Sequence, residues 1–377
     1  MCLTPILTPV ARRPPIVLVH DYLTQRGGAE RVVLSMLKAF PGAPLYTSLY
    51  DAPATFADFR DADVRTLALD RIEFLRRHHR AAFPLLAPAF GRLRLDADVV
   101  LCSSSGWAHG AQAAGRKLVY CYTPARWLYQ GNLYARGRSP AVKLALRAAR
   151  GRLVRWDLAA ARTADVYLTS SAAVRERIRD AYGIEAEIVP PPETLSTGEG
   201  RAPVPALEPG FFVCVSRLMP YKNVDAVVAA FGALAEERLV VVGTGPEEAR
   251  LRQLGGGNIR FLGAVGDDEM RWLYDNSDGL IAASYEDYGL SPLEAAAYGK
   301  PAAVLRFGGF LDTVVSERTG VFFDRPVASD IAEAVRRLRR LTWSAPDLIR
   351  HARMFSEDRF VERLREVVAE GRGEATV

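Results

Sequence analysis

Cysteine is scarce in this sequence, and the cysteines that occur are not spaced to share a site. The 377 residues include four of them, none in a Cys-x-x-Cys pair: Cys2, Cys102, Cys121 and Cys214. This spacing argues against a zinc cluster and against a framework of disulfide bonds. Such sparing use of cysteine is typical of proteins in a reducing, cytoplasmic compartment.

Long apolar runs are also missing. No stretch approaches the roughly 20 uninterrupted apolar residues that span a bilayer. The opening residues, MCLTPILTPVARRPP, contain a short apolar run that prolines interrupt, and the arginines follow this run. A secretory signal peptide has its basic residues first, so we expect no such leader here and a cytoplasmic protein.

The glycine-rich fingerprint of dinucleotide-binding enzymes, Gly-x-Gly-x-x-Gly, is absent as well. Neither Gly27-Gly28 nor the stretch GTGPEE at 243–248 matches it, which weakens the assignment to a nicotinamide-dependent enzyme. A sugar-nucleotide epimerase or reductase would also need a Tyr-x-x-x-Lys pair. The nearest candidate, Tyr221-Lys222, has the wrong spacing.

Metal-binding patterns are weak. Asp-Ala-Asp occurs at 61–63 and at 96–98, but a two-acid pattern is common by chance, and the second copy leads directly into a predicted strand. His78 and His79 are adjacent in sequence and therefore poorly placed to bind one ion. We expect no metal site and no cofactor.

The net charge of +5 hides a strongly basic segment. Between Arg71 and Arg162 there are 17 Lys and Arg against 4 Asp and Glu, a balance of +13, so the remaining 32 and 40 give −8. Such a bias predicts an anionic partner. No nucleic-acid recognition motif accompanies the charge, and we therefore expect no nucleic-acid partner.

Short apolar runs alternate with helical patterns along the first half. The runs 15–20, 98–103, 117–122 and 165–170 are predicted strands. Helices are predicted at about 29–40 and, as a long basic helix, at about 141–162. This alternation favours a parallel sheet with helices on both faces.

The alternation stops and then restarts. Residues 190–210, PPPETLSTGEGRAPVPALEPG, show neither helical nor strand periodicity and suggest an interdomain linker, placed at 191–210. Further strands are predicted at 211–216, 238–245, 258–263, 279–284 and 301–305, followed by helical pattern from about 327. The predicted fold is α/β, with two doubly wound Rossmann-like domains, 1–190 and 211–355, that face each other across a cleft. In such domains ligands bind at the carboxyl ends of the strands.

In the first half of the chain, two loops that directly follow predicted strands contain candidate functional residues. Gly27 and Gly28 open a helix, and a glycine pair lets a ligand approach free backbone N–H groups closely; a plain tight turn is the alternative. His109 lies in the Ser- and Gly-rich loop SSSGWAHG, at a strand end. Its position favours a functional role over a structural one.

In the second half, Arg217 and Lys222 follow the strand at 211–216. An Arg fork and a Lys point charge suit a diphosphate if they converge on it; two unrelated solvated charges are the alternative. The stretch EDYGLSPLE, 286–294, holds Glu286 at a strand end and Glu294 in the first turn of a helix that Pro292 is well placed to begin.

The spacing of these two glutamates decides between two roles. Glycosidase carboxylates lie roughly 5–10 Å apart around one bond, whereas eight helical residues rise about 12 Å. A loop could shorten that separation, but the simpler interpretation is that the acids touch different ends of a long ligand. The N–H groups near 290–293 would face an anion.

These stretches resemble a known family. EDYGLSPLEAAAYGKPAAVLRFGG, 286–309, is similar to the E-x7-E region of the large family of retaining GT-B glycosyltransferases, often written EGFGLPxLEAMAxGxPV. SRLMPYKN, 216–223, resembles the Arg/Lys diphosphate motif of that family. HDYLTQRGGAERVV and YCYTPARW resemble motifs of a mannosyltransferase-like subgroup of cell-surface polysaccharide synthesis.

The resemblance implies a role for each matching position. Glu286 would bind the donor sugar hydroxyls, Glu294 the ribose, and Arg217 and Lys222 the diphosphate, while His109 matches the family histidine near the reacting sugar. Gly27 and Gly28 would admit the phosphates and the acceptor. The remaining donor-binding positions are Asp287, Tyr288, Gly289, Leu290 and Ser291.

Three positions depart from the family pattern. Asp287 replaces the usual Gly, Tyr122 stands where the subgroup often has His, and Asp312 stands where Glu is common after the Gly-Gly pair. A non-catalytic regulator with this fold is the rival to an enzyme. Such a protein would be expected to lose Glu286 or Lys222, and both are present.

The expected activity follows from the resemblance. It implies metal-independent transfer, with retention, of a hexosyl group to a glycan or lipid-linked acceptor in cell-envelope or exopolysaccharide synthesis. GDP-mannose is the first candidate donor, with UDP-glucose or UDP-N-acetylglucosamine next. Helix 356–377 is expected to pack back on the first domain.

The basic segment predicts where the protein works. It interleaves arginines with Phe74, Phe83, Leu85, Leu86 and Phe90, and residues 143–156 likewise mix basic and apolar side chains. This composition is typical of a segment that docks on an anionic membrane surface, here the inner face of the membrane; a solvated basic face is the alternative.

Overall fold

The computed structural model describes residues 15–129, 140–195 and 198–370, with backbone only for residues 127 and 140–149. The opening residues and the first half of the basic stretch 143–156, residues 143–149, therefore lie outside what it shows of side chains. The chain divides into two compact units. Unit 1 comprises Met1–Leu168, Ile178–Glu187 and Leu364–Val377, and unit 2 comprises Thr169–Arg177 and Ile188–Arg363.

Unit 1 is built on a seven-stranded sheet. In chain order the strands are β1 (Ile16–His20), β2 (Leu45–Thr47), β3 (Val64–Thr66), β4 (Arg94–Leu95), β5 (Val99–Ser104), β6 (Gln112–Ala113), β7 (Arg116–Cys121), β8 (Val166–Thr169) and β9 (Glu187–Ile188). The sheet has the order β3-β2-β1-β5-β7-β8-β9, and β4 pairs separately with β6. All residues of β1 and β5 are buried, as expected for strands with helices on both faces.

Helices cover this sheet, and short 3₁₀ turns connect the elements. The helices are α1 (Gly28–Ala39), α2 (Glu73–Arg77), α3 (Phe83–Arg92), α4 (Arg126–Tyr129), α5 (Pro140–Ala161) and α6 (Ala172–Tyr182), of which residues 172–177 belong to unit 2. The 3₁₀ turns are Ala57–Arg60, Ala68–Arg71, His79–Ala82 and Ala108–Gly110. The strands and the two helices that the sequence predicts for this half are confirmed to within about two residues at each end.

Unit 2 has a six-stranded parallel sheet. Its strands are β10 (Phe211–Val215), β11 (Leu239–Val242), β12 (Ile259–Gly263), β13 (Ser277–Ala282), β14 (Ala302–Leu305) and β15 (Gly320–Phe323), in the order β12-β11-β10-β13-β14-β15. Counted within the unit, this is the strand order 3-2-1-4-5-6 of Rossmann domains. Strand β15, which is only four residues long, was not predicted.

The helices of unit 2 alternate with these strands and then run on to the end of the described chain. They are α7 (Val224–Gly232), α8 (Glu248–Leu254), α9 (Asp267–Asn276), α10 (Leu290–Ala297), α11 (Phe310–Thr313), α12 (Ala328–Arg340), α13 (Ala345–Arg353) and α14 (Glu357–Glu370). A 3₁₀ turn spans Pro220–Lys222. The predicted helical pattern after residue 327 is confirmed up to Glu370, the last residue that the structure describes.

The segment predicted as a linker packs onto unit 2. Its described residues include no strand and no α-helix, but Leu195 and Val204 are buried in the hydrophobic core of that unit. The Arg260 guanidinium donates to the carbonyl oxygen of Ala206 at 2.6 Å, and that of Arg271 donates to Gly200 O at 2.8 Å. These contacts give the segment a fixed path without regular structure.

Helix α14 begins in unit 2, and from Leu364 onward it belongs to unit 1. Within unit 1, Arg365 Nε donates to the carbonyl oxygen of Ala39 at the end of α1, at 2.9 Å. Arg116 Nη1 donates to Val367 O at 2.9 Å.

Among the helices that the structure describes, none combines the length and the apolar character needed to cross a membrane.

Candidate functional site

Two loops of unit 2 meet because of its strand order. Strands β10 and β13 are parallel neighbours, although they are far apart in sequence. The chain leaves β10 toward one side of the sheet and β13 toward the other, so the loops after them border the crevice where such domains bind ligands. These loops, 216–223 and 283–289, carry the motifs that the sequence singles out.

Lys222 and Glu286 pair across these two loops. The Lys222 ammonium pairs with Glu286 Oε2, and the two side chains are 10% and 27% exposed. Asn223, in the left-handed conformation with φ 52°, donates from its side chain to the carbonyl oxygen of Ala283 at 2.8 Å. The two loops are thus joined at two consecutive residues, and the partly exposed carboxylate retains access to solvent.

Arg217 reaches the same place through a tyrosine. Its guanidinium donates to the hydroxyl of Tyr221 at 3.0 Å, while the Lys222 ammonium lies 5.2 Å from the centroid of the Tyr221 ring. Tyr221 therefore stands between the two cations that the sequence predicts to converge on one anion. The sequence analysis did not assign Tyr221 a role.

Glycines hold the loop after β14 against Glu286. The backbone N–H of Gly309 donates to the carbonyl oxygen of Glu286 at 3.1 Å. A Cβ atom on Gly308 would overlap that carbonyl, and one on Gly309 would overlap the backbone of Tyr288. The Gly-Gly pair is therefore required for the close approach of two backbones.

Helix α10 begins earlier than the sequence analysis predicts. Gly289, with φ 94°, is the N-cap and Leu290 is the first helical residue, so Pro292 is the third residue and Glu294 lies in the second turn. The prediction that Pro292 begins the helix was wrong. The left-handed glycine sets the start, and proline is tolerated in the first turn because its missing N–H has no partner there.

Glu294 has a partner of its own. Its Oε2 accepts a hydrogen bond from the hydroxyl of Tyr274 at 2.8 Å. Burial raises the pKa of Tyr274, which keeps the hydroxyl protonated and able to donate. The two acids of the E-x7-E region are therefore held by different elements, Glu286 by Lys222 and Glu294 by Tyr274 of α9.

Two other residues predicted to bind the donor have protein partners for their side chains. The Tyr288 side chain is buried, and its hydroxyl donates to Pro191 O at 2.9 Å. The Asp287 carboxylate pairs with Arg177. Leu290 and Ser291 are half-buried at the N-terminus of α10. The Tyr288 hydroxyl and the Asp287 carboxylate thus bind protein groups, while the backbone N–H groups of Leu290 and Ser291, in the first turn of α10, have no partner within that helix.

The GTG stretch has a packing role. A Cβ atom on Gly243 or on Gly245 would overlap the carbonyl oxygen of Ser216 or of Leu218, respectively. Leu218 N donates to Thr244 O at 2.9 Å. These glycines allow the loop after β11 to support the loop that carries Arg217.

In unit 1, as in unit 2, loops that follow two neighbouring parallel strands meet. Strands β1 and β5 are parallel neighbours, and Asp21, directly after β1, binds the loop after β5. Its carboxylate accepts the backbone N–H groups of Ser105 at 2.6 Å, Trp107 at 3.2 Å and Ala108 at 2.6 Å. Burial raises the pKa of Asp21 to about 6, because desolvation outweighs these donors. The sequence analysis missed Asp21, although its position at a strand end was a usable signal.

Gly27 is the N-cap of α1, and Gly28 is its first residue. Glu30, buried in the first turn, lies close to this N-terminus, since a Cβ atom on Gly27 would be 2.5 Å from Glu30 Oε2. Tyr122 donates to the carbonyl oxygen of Ala29 at 3.1 Å and lies 3.0 Å from the Ser103 hydroxyl. The tyrosine that departs from the subgroup pattern therefore braces the first turn of α1.

His109 lies inside unit 1. Its Nδ1 is 3.0 Å from the Ser104 hydroxyl, its Nε2 is 3.0 Å from Asp157 Oδ1, and its side chain is 3% exposed. Ser104 Oγ also accepts the backbone N–H of Gly106 at 3.1 Å. This Ser-His-Asp group is closed to substrate, which argues against hydrolase chemistry. The geometry supports a role for His109 in shaping its loop, and direct contact with a sugar stays a prediction.

Within the described part of the chain, no group of three or more His, Cys, Asp or Glu side chains is placed to hold a metal ion. His78 stacks on Phe74 with ring centroids 4.7 Å apart, and His79 Nδ1 is 3.0 Å from the Thr24 hydroxyl. The two adjacent histidines thus serve separate contacts.

Comparison with known proteins agrees with this geometry. The sequence profile of the family described as "Glycosyl transferases group 1" matches residues 201–354, which contain the Lys222–Glu286 pair. A GDP-mannose-dependent alpha-(1-6)-phosphatidylinositol monomannoside mannosyltransferase of Mycobacterium tuberculosis is 29% identical over 201 residues, covering 46% of this chain and 52% of that protein. A D-inositol 3-phosphate glycosyltransferase of Salinispora tropica is 33% identical over 187 residues, covering 43% and 39%. This chain spans about half or less of the length of these relatives.

Solved structures share the fold over almost the whole chain. A sucrose-phosphate synthase from Thermosynechococcus elongatus superposes with a TM-score of 0.69 at 17% identity, covering 95% of this chain and 99% of that one. Anabaena Alr3699/HepE in complex with UDP gives a TM-score of 0.69 at 15% identity, covering 94% and 99%. At such identities the likeness shows the fold alone, and that fold is the predicted GT-B fold. Residues 201–354 of this chain are thus similar to the glycosyl transferases group 1 family.

Proposed function

We propose that this protein transfers a hexosyl group from a nucleotide diphosphate sugar to a glycan or lipid-linked acceptor. The observation that carries the proposal is the Lys222–Glu286 pair at the strand crossover of unit 2, inside the region that matches the family. A cation and a carboxylate side by side suit the two ends of the scissile bond, a diphosphate and a hydroxyl-bearing sugar.

In this proposal Lys222 and Arg217 neutralise the diphosphate as it leaves. The N-terminus of α10 adds its backbone N–H groups to the same charge. Fixed positive groups of this kind stabilise a leaving diphosphate without a metal ion. Glu286 then accepts hydrogen bonds from the donor sugar hydroxyls, and Glu294, oriented by Tyr274 at 2.8 Å, binds the ribose. Asp287, Tyr288, Gly289, Leu290 and Ser291 complete the donor loop.

Retention of the anomeric configuration forms part of the proposal, as do the roles of unit 1. Front-face substitution, in which a diphosphate oxygen assists deprotonation of the acceptor, requires no covalent nucleophile. Gly27 and Gly28 would admit the phosphates and the acceptor. His109, held by Ser104 and Asp157, would shape the loop beside the reacting sugar.

GDP-mannose is the donor that we place first. The supporting observations are the subgroup motifs HDYLTQRGGAERVV and YCYTPARW and the Mycobacterium tuberculosis relative, whose name states dependence on GDP-mannose. UDP-glucose or UDP-N-acetylglucosamine is second, since Anabaena Alr3699/HepE was solved with UDP. Calorimetric titration of the protein with GDP and with UDP separates the two. Tighter binding of UDP would reverse the order.

An anionic membrane surface is the proposed site of the acceptor. On unit 1, Ile72, Phe74 and Leu85 are 49%, 61% and 43% exposed, and Arg77 and Arg80 are exposed among them. Exposed apolar side chains within a basic surface suit the headgroup region of an anionic leaflet. Leu86 and Phe90 are buried and do not contribute to this surface, which corrects their inclusion among the docking residues.

The test of the activity is incubation of the purified protein with a panel of nucleotide sugars, scored by release of the nucleotide diphosphate. We expect release from GDP-mannose that persists in the presence of EDTA. Product analysis by NMR would show retention of the anomeric configuration. Failure to bind or to turn over any donor of the panel would contradict the proposed function.

A further inference from the structure

The donor loop is tied to a short segment of unit 2 by an ion pair next to Glu286. Arg177 Nη1 pairs with Asp287 Oδ1, and the two side chains are 23% and 13% exposed. Ser171 Oγ donates to the carbonyl oxygen of Asp287 at 2.6 Å. Both ends of Asp287, the backbone and the carboxylate, therefore bind the segment 169–177.

This segment is itself well anchored. Ser171 is fully buried, and its hydroxyl oxygen accepts the backbone N–H of Val174 at 3.2 Å, in the first turn of α6. The backbone N–H of Ala172 donates to Asp312 Oδ2 at 3.1 Å. Asp287 and Asp312, two of the residues that depart from the family pattern, thus bind the same helix start.

The charge on Asp287 would be unfavourable for an anionic ligand. Asp287 directly follows Glu286, so the loop presents two consecutive carboxylates where the proposed donor brings a diphosphate. Like charges in a partly buried site are screened less than on an open surface. A cation on the second carboxylate removes this repulsion and leaves Glu286 to Lys222.

We propose that Arg177 is a positioning residue of the donor site, which neutralises Asp287 and so permits the donor loop to accept a nucleotide diphosphate. The inference rests on the proposed function, because it requires that the ligand be anionic. It explains how the chain tolerates an acid at a position where a glycine is usual.

A double-mutant cycle on nucleotide binding tests it. We expect Arg177→Ala to weaken binding of GDP about tenfold, which corresponds to about 1.4 kcal/mol. Asp287→Asn is the second single variant of the cycle. The double variant Arg177→Ala/Asp287→Asn should bind GDP clearly more tightly than Arg177→Ala and recover most of the tenfold loss, since the charge that Arg177 offsets is gone.

The cycle separates charge neutralisation from a structural role. If Arg177 served only as a strut, removing its partner would not restore binding, and the double variant would stay as weak as Arg177→Ala; that result would overturn the inference. If Arg177 acts by neutralising Asp287, the loss of GDP affinity in Arg177→Ala should be smaller at high salt. The variant should also lose less affinity for guanosine, which has no phosphate, than for GDP. An equal defect for both ligands would count against it.

Arg340→Ala is the matched control. Arg340 pairs with Glu333 on the exposed side of α12 at 2.6 Å, and its neighbour Arg339 binds Asp278 near the start of β13, at the opposite end of that strand from Glu286. The control loses the same charge, and we expect unchanged GDP binding. The same titrations use UDP if the wild type prefers it. A wild type that binds neither nucleotide would contradict the proposed function itself, whereas wild-type binding with an additive cycle would contradict only the role of Arg177.

Discussion

At the scale of single residues, the candidate site depends on charged groups that have specific partners. Lys222 has Glu286, Glu294 has Tyr274, and Asp21 has the backbone of the loop after β5. In each case the partner comes from a distant part of the sequence. A variant at one member of a pair therefore also leaves its partner without that contact.

Lys222→Ala should slow transfer strongly. The variant removes the cation nearest Glu286 and with it a stabilising charge on the leaving diphosphate, a loss of about 2–4 kcal/mol in the transition state. Steady-state kinetics with the active donor measure it as a fall in kcat/KM. Near-normal turnover by the variant with every active donor would remove Lys222 from the mechanism.

The two glutamates should differ in what their loss affects. Glu286→Gln should impair turnover of the intact donor while free GDP still binds, because Glu286 is assigned to the sugar. Glu294→Gln should weaken binding of free GDP as well, because Glu294 is assigned to the ribose. Calorimetry and kinetics on the same preparations measure both effects, and identical losses in both assays would refute the separate roles.

His20 and Asp21 should give opposite pH dependences of stability. Burial lowers the pKa of His20 to about 4 from 6.5 and raises the pKa of Asp21 to about 6 from 3.8. Between pH 3.8 and about 6, Asp21 keeps its proton in the folded state but has lost it in the unfolded state. The contribution of Asp21 to stability therefore falls as pH rises from about 4 to 6. The folded state lacks a proton on His20 that the unfolded state holds, so the His20 contribution rises from about pH 4 to 6.5.

Denaturant unfolding at several pH values measures these slopes. Relative to the wild type, Asp21→Asn should become more stable as pH rises from about 4 to 6, since it lacks the Asp21 penalty. His20→Asn should become less stable over the same range. Parallel curves for all three proteins would show that burial does not shift these two groups.

At the scale of elements, the site is built by loops that follow parallel strands and touch through glycine. The loop after β14 meets the loop after β13 at Gly308 and Gly309, and the loop after β11 meets the loop after β10 at Gly243 and Gly245. These contacts are between backbones, which leaves little tolerance for an added methyl group.

Gly309→Ala should therefore displace the donor loop. The added methyl group would overlap the backbone of Tyr288, and such overpacking costs typically about 1–3 kcal/mol of folding stability. Thermal unfolding and donor turnover should both decline. Gly257→Ala is the control, because a methyl group there meets no atom within 4 Å and the backbone has no positive φ. Equal behaviour of the two variants would show that close approach at Gly309 is unimportant.

At the scale of the whole molecule, basic charge and exposed apolar side chains share unit 1. The balance of +13 between Arg71 and Arg162 stands against −8 for the remainder of the chain. Each Lys or Arg near an anionic leaflet contributes about 1 kcal/mol, so four or five suffice for reversible binding. From this distribution we expect unit 1 to be the part of the molecule that faces an anionic surface.

Vesicle sedimentation should show this binding. We expect the protein to sediment with vesicles that contain anionic lipid but not with neutral ones, and less so at high salt. Replacing Arg77, Arg80 and Phe74 should weaken it. Arg76 is left intact, because it donates to the carbonyl oxygen of Asp70 at 2.6 Å and its replacement would also remove this contact. Equal sedimentation with the two vesicle types would refute docking.

The sequence by itself determined the α/β class, the division into two sheets and the loops that carry candidate chemistry. Parallel strands buried on both faces leave continuous apolar runs, and these are visible without a structure, as at 16–20 and 211–215. The resemblance of 286–309 and 216–223 to family motifs also lies in sequence, and the profile match over 201–354 bears it out.

Only the tertiary structure decided which residues meet. Glu286 lies 64 positions from Lys222 and Asp287 lies 110 from Arg177, and no local pattern reports such pairs. The start of α10 at Leu290 depended on the left-handed Gly289, which Phe310 packs against from another element. His109 looked accessible at a strand end, yet burial beside Asp157 depends on how α5 lies against its loop. Strand order and burial arise from the packing of the whole unit, so they become visible only when distant segments are in place.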